Sequence, residues 1–158
     1  MSTIRITRRI KAPRALVHGT LLDAGAVAQW KVPDGMTCHV HEFDAREGGA
    51  FRISLTYDRP TGAGKTTPHT DTYHGRFEKL LPNEQIVEVD EFETDNPDLQ
   101  GEMTITITLA DTDGGTDLVA VHEELPRGVS PADNELGWRM SLAKFAALVE
   151  AGHKGRDG

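Results

Sequence analysis

The sequence predicts one soluble α+β domain, with a long C-terminal helix lying across a curved antiparallel sheet of about six to seven strands. Three observations predict it. Apolar and polar residues alternate through several short segments, which is the period of a half-buried strand. Clusters of Gly, Pro, Asn and Asp separate those segments closely enough to join neighbours as hairpins, giving an antiparallel meander. Toward the C-terminus, Trp138, Leu142, Phe145 and Val149 recur at helical spacing, with Leu148 beside them. A sheet with one apolar face and a helix with one apolar stripe must cover each other.

Taken in order, residues 3–11 place Ile4, Ile6 and Ile10 on one face of a strand. Arg8 breaks that face, as a sheet edge allows. Pro13 suits the start of a helix over 13–22, and Asp23 can cap a second short helix reaching Trp30. VPDG at 32–35 turns the chain into a strand over 37–44, and EGG at 47–49 turns it again. Phe51, Ile53, Leu55 and Tyr57 then alternate with Arg52, Ser54 and Thr56. A polar loop over 59–68 leads to a strand over 70–81, the turn LPNE, and a strand over 85–93. That last strand has mixed faces, Val87 and Val89 against Ile86 and Phe92. After a turn region at 94–101, Met103, Ile105, Ile107 and Leu109 alternate with threonines. DTDGG at 111–115 folds the chain back, so that Leu118, Ala120 and His122 share one face of the final strand. Ser130 as cap, Pro131 in first position and Asp133 open a helix of about 20 residues that Gly152 is expected to end.

With 158 residues, one domain over 1–151 is expected, followed by a flexible Gly-rich tail at 152–158. The net charge of -8 argues against nucleic acid or an anionic membrane as partner. The single cysteine, Cys38, cannot form an internal disulfide, and no apolar leader core or membrane-spanning run is present, so a cytoplasmic location is expected.

Several segments together resemble a known family. They are IKAPRALV at 10–17, Trp30 at the end of the second helix, DAREGGAFRISL at 44–55, HGRFEKLLPNEQIV at 74–87, MTITITLAD at 103–111, GGTDLVAVHEELP at 114–126 and LGWRMSLAKFAALVE at 136–150. In this order they are similar to the activator-of-Hsp90-ATPase-homologue (AHSA1-like) family of the START-like, Bet v1-like helix-grip superfamily (SRPBCC). The resemblance implies a helix-grip fold that is often a ligand pocket. It also implies, as an alternative, a protein-interaction role toward a chaperone ATPase. One departure is that many relatives carry Trp-Trp where this chain has Trp30-Lys31. The superfamily hosts several activities, so function must be argued from the site.

The expected ligand is a small apolar or aromatic molecule held between sheet and C-terminal helix, with no cofactor, no metal and no assigned catalytic residue. Candidate wall residues are Phe51, Ile53, Leu55, Phe77, Met103, Ile105, Ile107, Leu118, Trp138, Leu142 and Phe145, which either line a cavity or fill it. Tyr57, Tyr73, His74 and Glu91 could add polar groups at its mouth. His122 and Glu124 are read as sharing a strand face, where they could orient a ligand or act as an acid–base pair; a hydrogen-bonded core histidine is the structural alternative. His39 with His41, and His69, Asp71 and His74, lack a recognised metal spacing. GAGKTT at 62–67 fails as a phosphate loop, because Arg59 stands where the first glycine belongs and a strand follows; a flap over the cavity entrance suits it better. Cys38 reads as a buried structural thiol, since the adjacent His39 points to the opposite face. No oligomer interface is legible.

Overall fold

Two short helices interrupt the chain after its first strand, so that strand cannot pair with its sequence neighbour and crosses to the far edge of the sheet. The computed structural model describes residues 3–59, 64–67 and 69–157. Strand β1 (Ile4–Ile10) is followed by α1 (Arg14–Leu21) and α2 (Ala24–Trp30). Six strands follow: β2 (Met36–Phe43), β3 (Ala50–Tyr57), β4 (Thr70–Leu81), β5 (Gln85–Phe92), β6 (Glu102–Thr112) and β7 (Gly115–Glu123). The final helix, α3, spans Pro131–Asp157. The sheet order is β1-β7-β6-β5-β4-β3-β2, antiparallel throughout. This is the expected α+β helix-grip arrangement, with all seven strands in one sheet.

Local chemistry accounts for the element ends. Asp23 Oδ1 accepts the Gly25 amide at 2.9 Å and so caps α2. Ser130 Oγ accepts the Asp133 amide at 3.2 Å and caps α3, with Pro131 in the first helical position. Gly114 turns β6 into β7 at φ 78, a conformation that costs glycine nothing. Arg8 lies on an edge strand, opposite Leu118, which explains a charge on an otherwise apolar face.

Two details differ from the sequence reading. Gly152 does not end α3, which continues to Asp157. A glycine in an exposed helix costs only about 1 kcal/mol, and no proline or competing turn follows to stop the helix. The turn region at 94–101 contains a short 3-10 turn, Pro97–Leu99, capped by Asn96 Oδ1 accepting the Asp98 amide at 3.0 Å.

Helix α3 packs on β1, α1 and α2. Leu142, Phe145, Ala146 and Val149 are buried there with Ile6, Ile10, Val17 and Leu118. Trp30 anchors α2 against this helix, with its ring 4.9 Å from Phe145 and 6.2 Å from Trp138. The dense part of the stripe thus seals one end of the sheet. The first turns of α3 carry Asp133, Asn134, Glu135 and Gly137, and they pass over the other end without filling it.

Candidate functional site

That unfilled end is a cavity of about 590 Å³. Its floor is the inner face of the sheet, with Leu55 and Tyr57 from β3, Tyr73 from β4, Phe92 from β5 and Met103 from β6. Trp138, Gly137 and Met140 of α3 form the roof, and Pro33 and Asp34 form the rim after α2.

A charged cluster is set into this apolar wall. Alternation along β5 sends Glu88 and Asp90 inward, opposite Ile105 and Met103 of β6. Both are buried, at 2% and 3% exposure. Lys31, at the C-terminal cap of α2, reaches in to meet them. Its Nζ donates to both carboxylate oxygens of Glu88, at 2.9 and 3.0 Å. It also lies 5.5 to 5.9 Å from the ring centroids of Phe51, Trp138 and Tyr73, within cation–π range.

Burial alone would lower the Lys31 pKa, but the Glu88 and Asp90 carboxyls raise it on balance. Burial pushes the Asp90 carboxyl well above the usual range, Glu88 adds to that, and Lys31 only partly opposes it. One ammonium cannot neutralise two buried carboxylates, so Asp90, the one Lys31 does not bond, favours its protonated form. Tyr73 is likewise raised, first by burial and then by the two carboxyls. Asp90 lines the cavity, and its Oδ1 has no hydrogen-bond partner.

A second ion pair lies beside Phe92. Asp71, 4% exposed, accepts the Lys65 amide at 2.6 Å and its ammonium at 3.0 Å. Lys65 also lies 5.1 Å from the Phe92 ring centroid.

His122 sits behind Trp138, their rings 4.5 Å apart and nearly perpendicular. The Asn134 side-chain amide donates to its Nδ1 at 2.8 Å, which places the ring proton on Nε2. Burial lowers the His122 pKa to about 4, so the imidazole is neutral near pH 7.

The model of the family described as "Activator of Hsp90 ATPase homolog 1-like protein" matches residues 11–150. The chain belongs to this family. The AHSA1-like assignment agrees with solved structures. A crystal structure of a Chromobacterium violaceum protein is 37% identical, covers 95% of this chain and 99% of its own, and superposes with a TM-score of 0.84. The AHSA1 protein of Silicibacter pomeroyi is 20% identical, covers 96% of this chain and 100% of its own, and gives a TM-score of 0.77. A Rhodobacter sphaeroides protein is 16% identical over 95% of this chain and 93% of its own, with a TM-score of 0.74. No functionally curated protein matches the chain.

Within this AHSA1-like fold, Leu55, Met103 and Trp138 of the wall residues read from sequence line the cavity, as does Tyr57 of the expected polar groups. Phe51, Ile53, Phe77, Ile105, Ile107, Leu118, Leu142 and Phe145 lie in the packed core around it. Tyr73 and Asp71 face the cavity, whereas His74 and Glu91 pair on the outer face beside Glu93. His39 and His41 contact each other, and His41 Nε2 is 2.7 Å from Ser54 Oγ. Among the described residues, no group of three or more His, Cys, Asp or Glu is placed to hold a metal.

The shared face of His122 and Glu124 does not form. β7 ends at Glu123, and Glu124 takes φ 62, which breaks the strand alternation and leaves its side chain exposed. Cys38 is half-buried on the inner face, and burial raises its thiol to about 11, leaving it a poor nucleophile. Gly62, Ala63 and Pro68 lie outside the described residues. The described part of the loop is tied to β4 through Lys65 and through Thr66, whose hydroxyl accepts the Thr72 amide at 2.7 Å.

The sequence reading missed Lys31, Glu88, Asp90 and Asn134. A signal for two of them existed, since Glu88 and Asp90 share parity with Ile86 and Phe92.

Proposed function

We propose that this AHSA1-like domain binds a small apolar or aromatic molecule between its sheet and the first turns of α3. The observation that carries the reading is the cavity of about 590 Å³, walled by Leu55, Tyr57, Tyr73, Phe92, Met103 and Trp138 and holding a few buried polar groups. Ligand pockets commonly measure about 300–1,000 Å³, with mostly apolar walls and a small number of polar anchors. Phe51, Ile53, Phe77, Ile105, Leu118, Leu142 and Phe145 pack in the core behind the cavity, His122 is buried beside Trp138, and the Glu124 side chain is exposed. The arrangement favours holding a molecule over turning one over, because His122 Nδ1 is engaged by Asn134 and its former acid–base partner points to solvent.

A titration with a library of lipids, aromatics and polyketides, followed by amide and methyl chemical shifts, tests the reading. Shifts should concentrate at Leu55, Tyr57, Met103 and Trp138. Leu55→Trp, which fills the space, should weaken any hit about tenfold or more, as a lost apolar pocket of this kind implies. A library that moves none of those resonances removes the proposal.

The family description supports one alternative, a role toward a chaperone ATPase. Adding the domain to such an ATPase, with turnover measured, separates the two: an unchanged rate and no co-purification dispose of the alternative.

A further inference from the structure

The polar side of the cavity has a chemistry of its own. Asp90 Oδ1 is a buried acceptor without a donor, in a side chain that lines the cavity. Proteins leave few such groups unsatisfied, and an unpaired one at a cavity wall is where a bound molecule gains a hydrogen bond. The cations along the wall are already used. Lys31 is held by both oxygens of Glu88, and Lys65 by Asp71. The remaining charged liners, Asp34 and Asp133, are acidic. An anionic head group would therefore meet carboxyls and no free ammonium among the described residues. A cationic one meets the Lys31 ammonium, which already occupies both Glu88 oxygens and lies within cation–π range of Phe51, Tyr73 and Trp138. The aromatic and thioether walls around this point, Tyr73, Phe92, Met103 and Trp138, suit a ring or a short apolar body.

We propose that the cavity selects an uncharged aromatic or apolar molecule bearing one hydroxyl, whose O–H donates to Asp90 Oδ1, and that it discriminates against carboxylates. This rests on the ligand-binding reading above and names the class of molecule for the same site. The raised pKa of Asp90 agrees with it. A protonated Asp90 is a neutral acid that keeps one carbonyl oxygen as an acceptor.

Calorimetry at pH 7 with the full chain and four probes of similar size tests the proposal: 1-naphthol, 1-methoxynaphthalene, 1-naphthoate and 1-naphthylmethylammonium. Naphthol should bind about tenfold tighter than methoxynaphthalene, which has the same ring and no donor, and about a hundredfold tighter than naphthoate. The ammonium probe should not exceed naphthol. Asp90→Asn keeps an acceptor and can still donate to Glu88, so the naphthol preference should survive. Asp90→Leu should abolish it while methoxynaphthalene still binds. Equal affinities for naphthol and methoxynaphthalene in the unmodified protein overturn this inference and leave the cavity reading standing. So does a naphthoate or ammonium probe that matches naphthol, or a preference that outlasts Asp90→Leu. Silence from all four probes overturns both readings together. The comparison among probes needs no variant, so it decides the matter even if Asp90→Leu does not fold.

Discussion

His122 and Asp90 make opposite contributions to the pH dependence of stability. Unfolded His122 takes up a proton near its ordinary pKa of 6.5, but the folded site resists it down to about 4. Its contribution is complete above pH 6.5 and is lost as pH falls toward 4, a change on the order of 3 kcal/mol. Asp90 is raised instead, so the folded state holds a proton that the unfolded chain has released. That contribution is largest below the ordinary carboxyl range and is lost as pH rises through the elevated folded value. Urea unfolding between pH 4 and pH 8 separates them. His122→Gln should flatten the loss of stability below pH 6.5, and Asp90→Asn should gain on the unmodified protein as pH rises. Parallel curves for variant and parent would show that neither group titrates as described. Gly75 makes a different demand. It sits on β4 opposite Phe51 and Asp90, and a Cβ there would overlap the Val89 carbonyl oxygen and the Phe51 ring. Gly75→Ala should therefore destabilise by about 1–3 kcal/mol in chemical denaturation, as overpacking does.

Among the elements, α3 has two halves with different work. Phe145 is fully buried against Trp30 and the core, while Leu136 at the cavity end is 55% exposed. Phe145→Ala should cost about 3–5 kcal/mol and Leu136→Ala less than about 0.5 kcal/mol, measured by thermal or urea unfolding. Similar losses at both positions would mean that the helix is packed evenly along its length. The stripe from Trp138 to Val149 was legible because its spacing is helical and its cap residues are unambiguous. The end of the helix was not, because Gly152 is a weak stop without a proline behind it. β5 shows the harder limit. Its apolar residues fall on both faces, so period alone does not say which face is inward. The register with β6 decides it, opposing Glu88 to Ile105 and Asp90 to Met103. Lys31 belongs to no periodic pattern, and only the placement of α2 turns its side chain inward. Glu124 shows the reverse error, in which strand alternation was extended one residue past the point where the backbone leaves it.

At the scale of the molecule, the succession of elements, the antiparallel meander and the covering helix follow from alternation, turn residues and one amphipathic stripe, whereas the pairing of β1 with β7 does not. The cavity does not follow from them, since a void is set by how far α3 stands from the sheet and not by which residues are apolar. Of the wall residues expected, those near the first turns of α3 meet empty space, and those deeper in the sheet meet one another. The charged cluster sits between the two regions, where the packed core ends and the cavity begins. It gives an otherwise greasy wall a direction, with an acceptor at Asp90 and aromatic surfaces on the sides.

The central claim is that a small molecule occupies the space beneath the first turns of α3. Intermolecular nuclear Overhauser effects from bound 1-naphthol test it most directly. The ring protons should show contacts with Leu55, Tyr57, Met103 and Trp138, and none with Val17 or Ile10 in the packed core. Contacts confined to the outer face around His39 and His41, or no contacts at a saturating concentration, would contradict it.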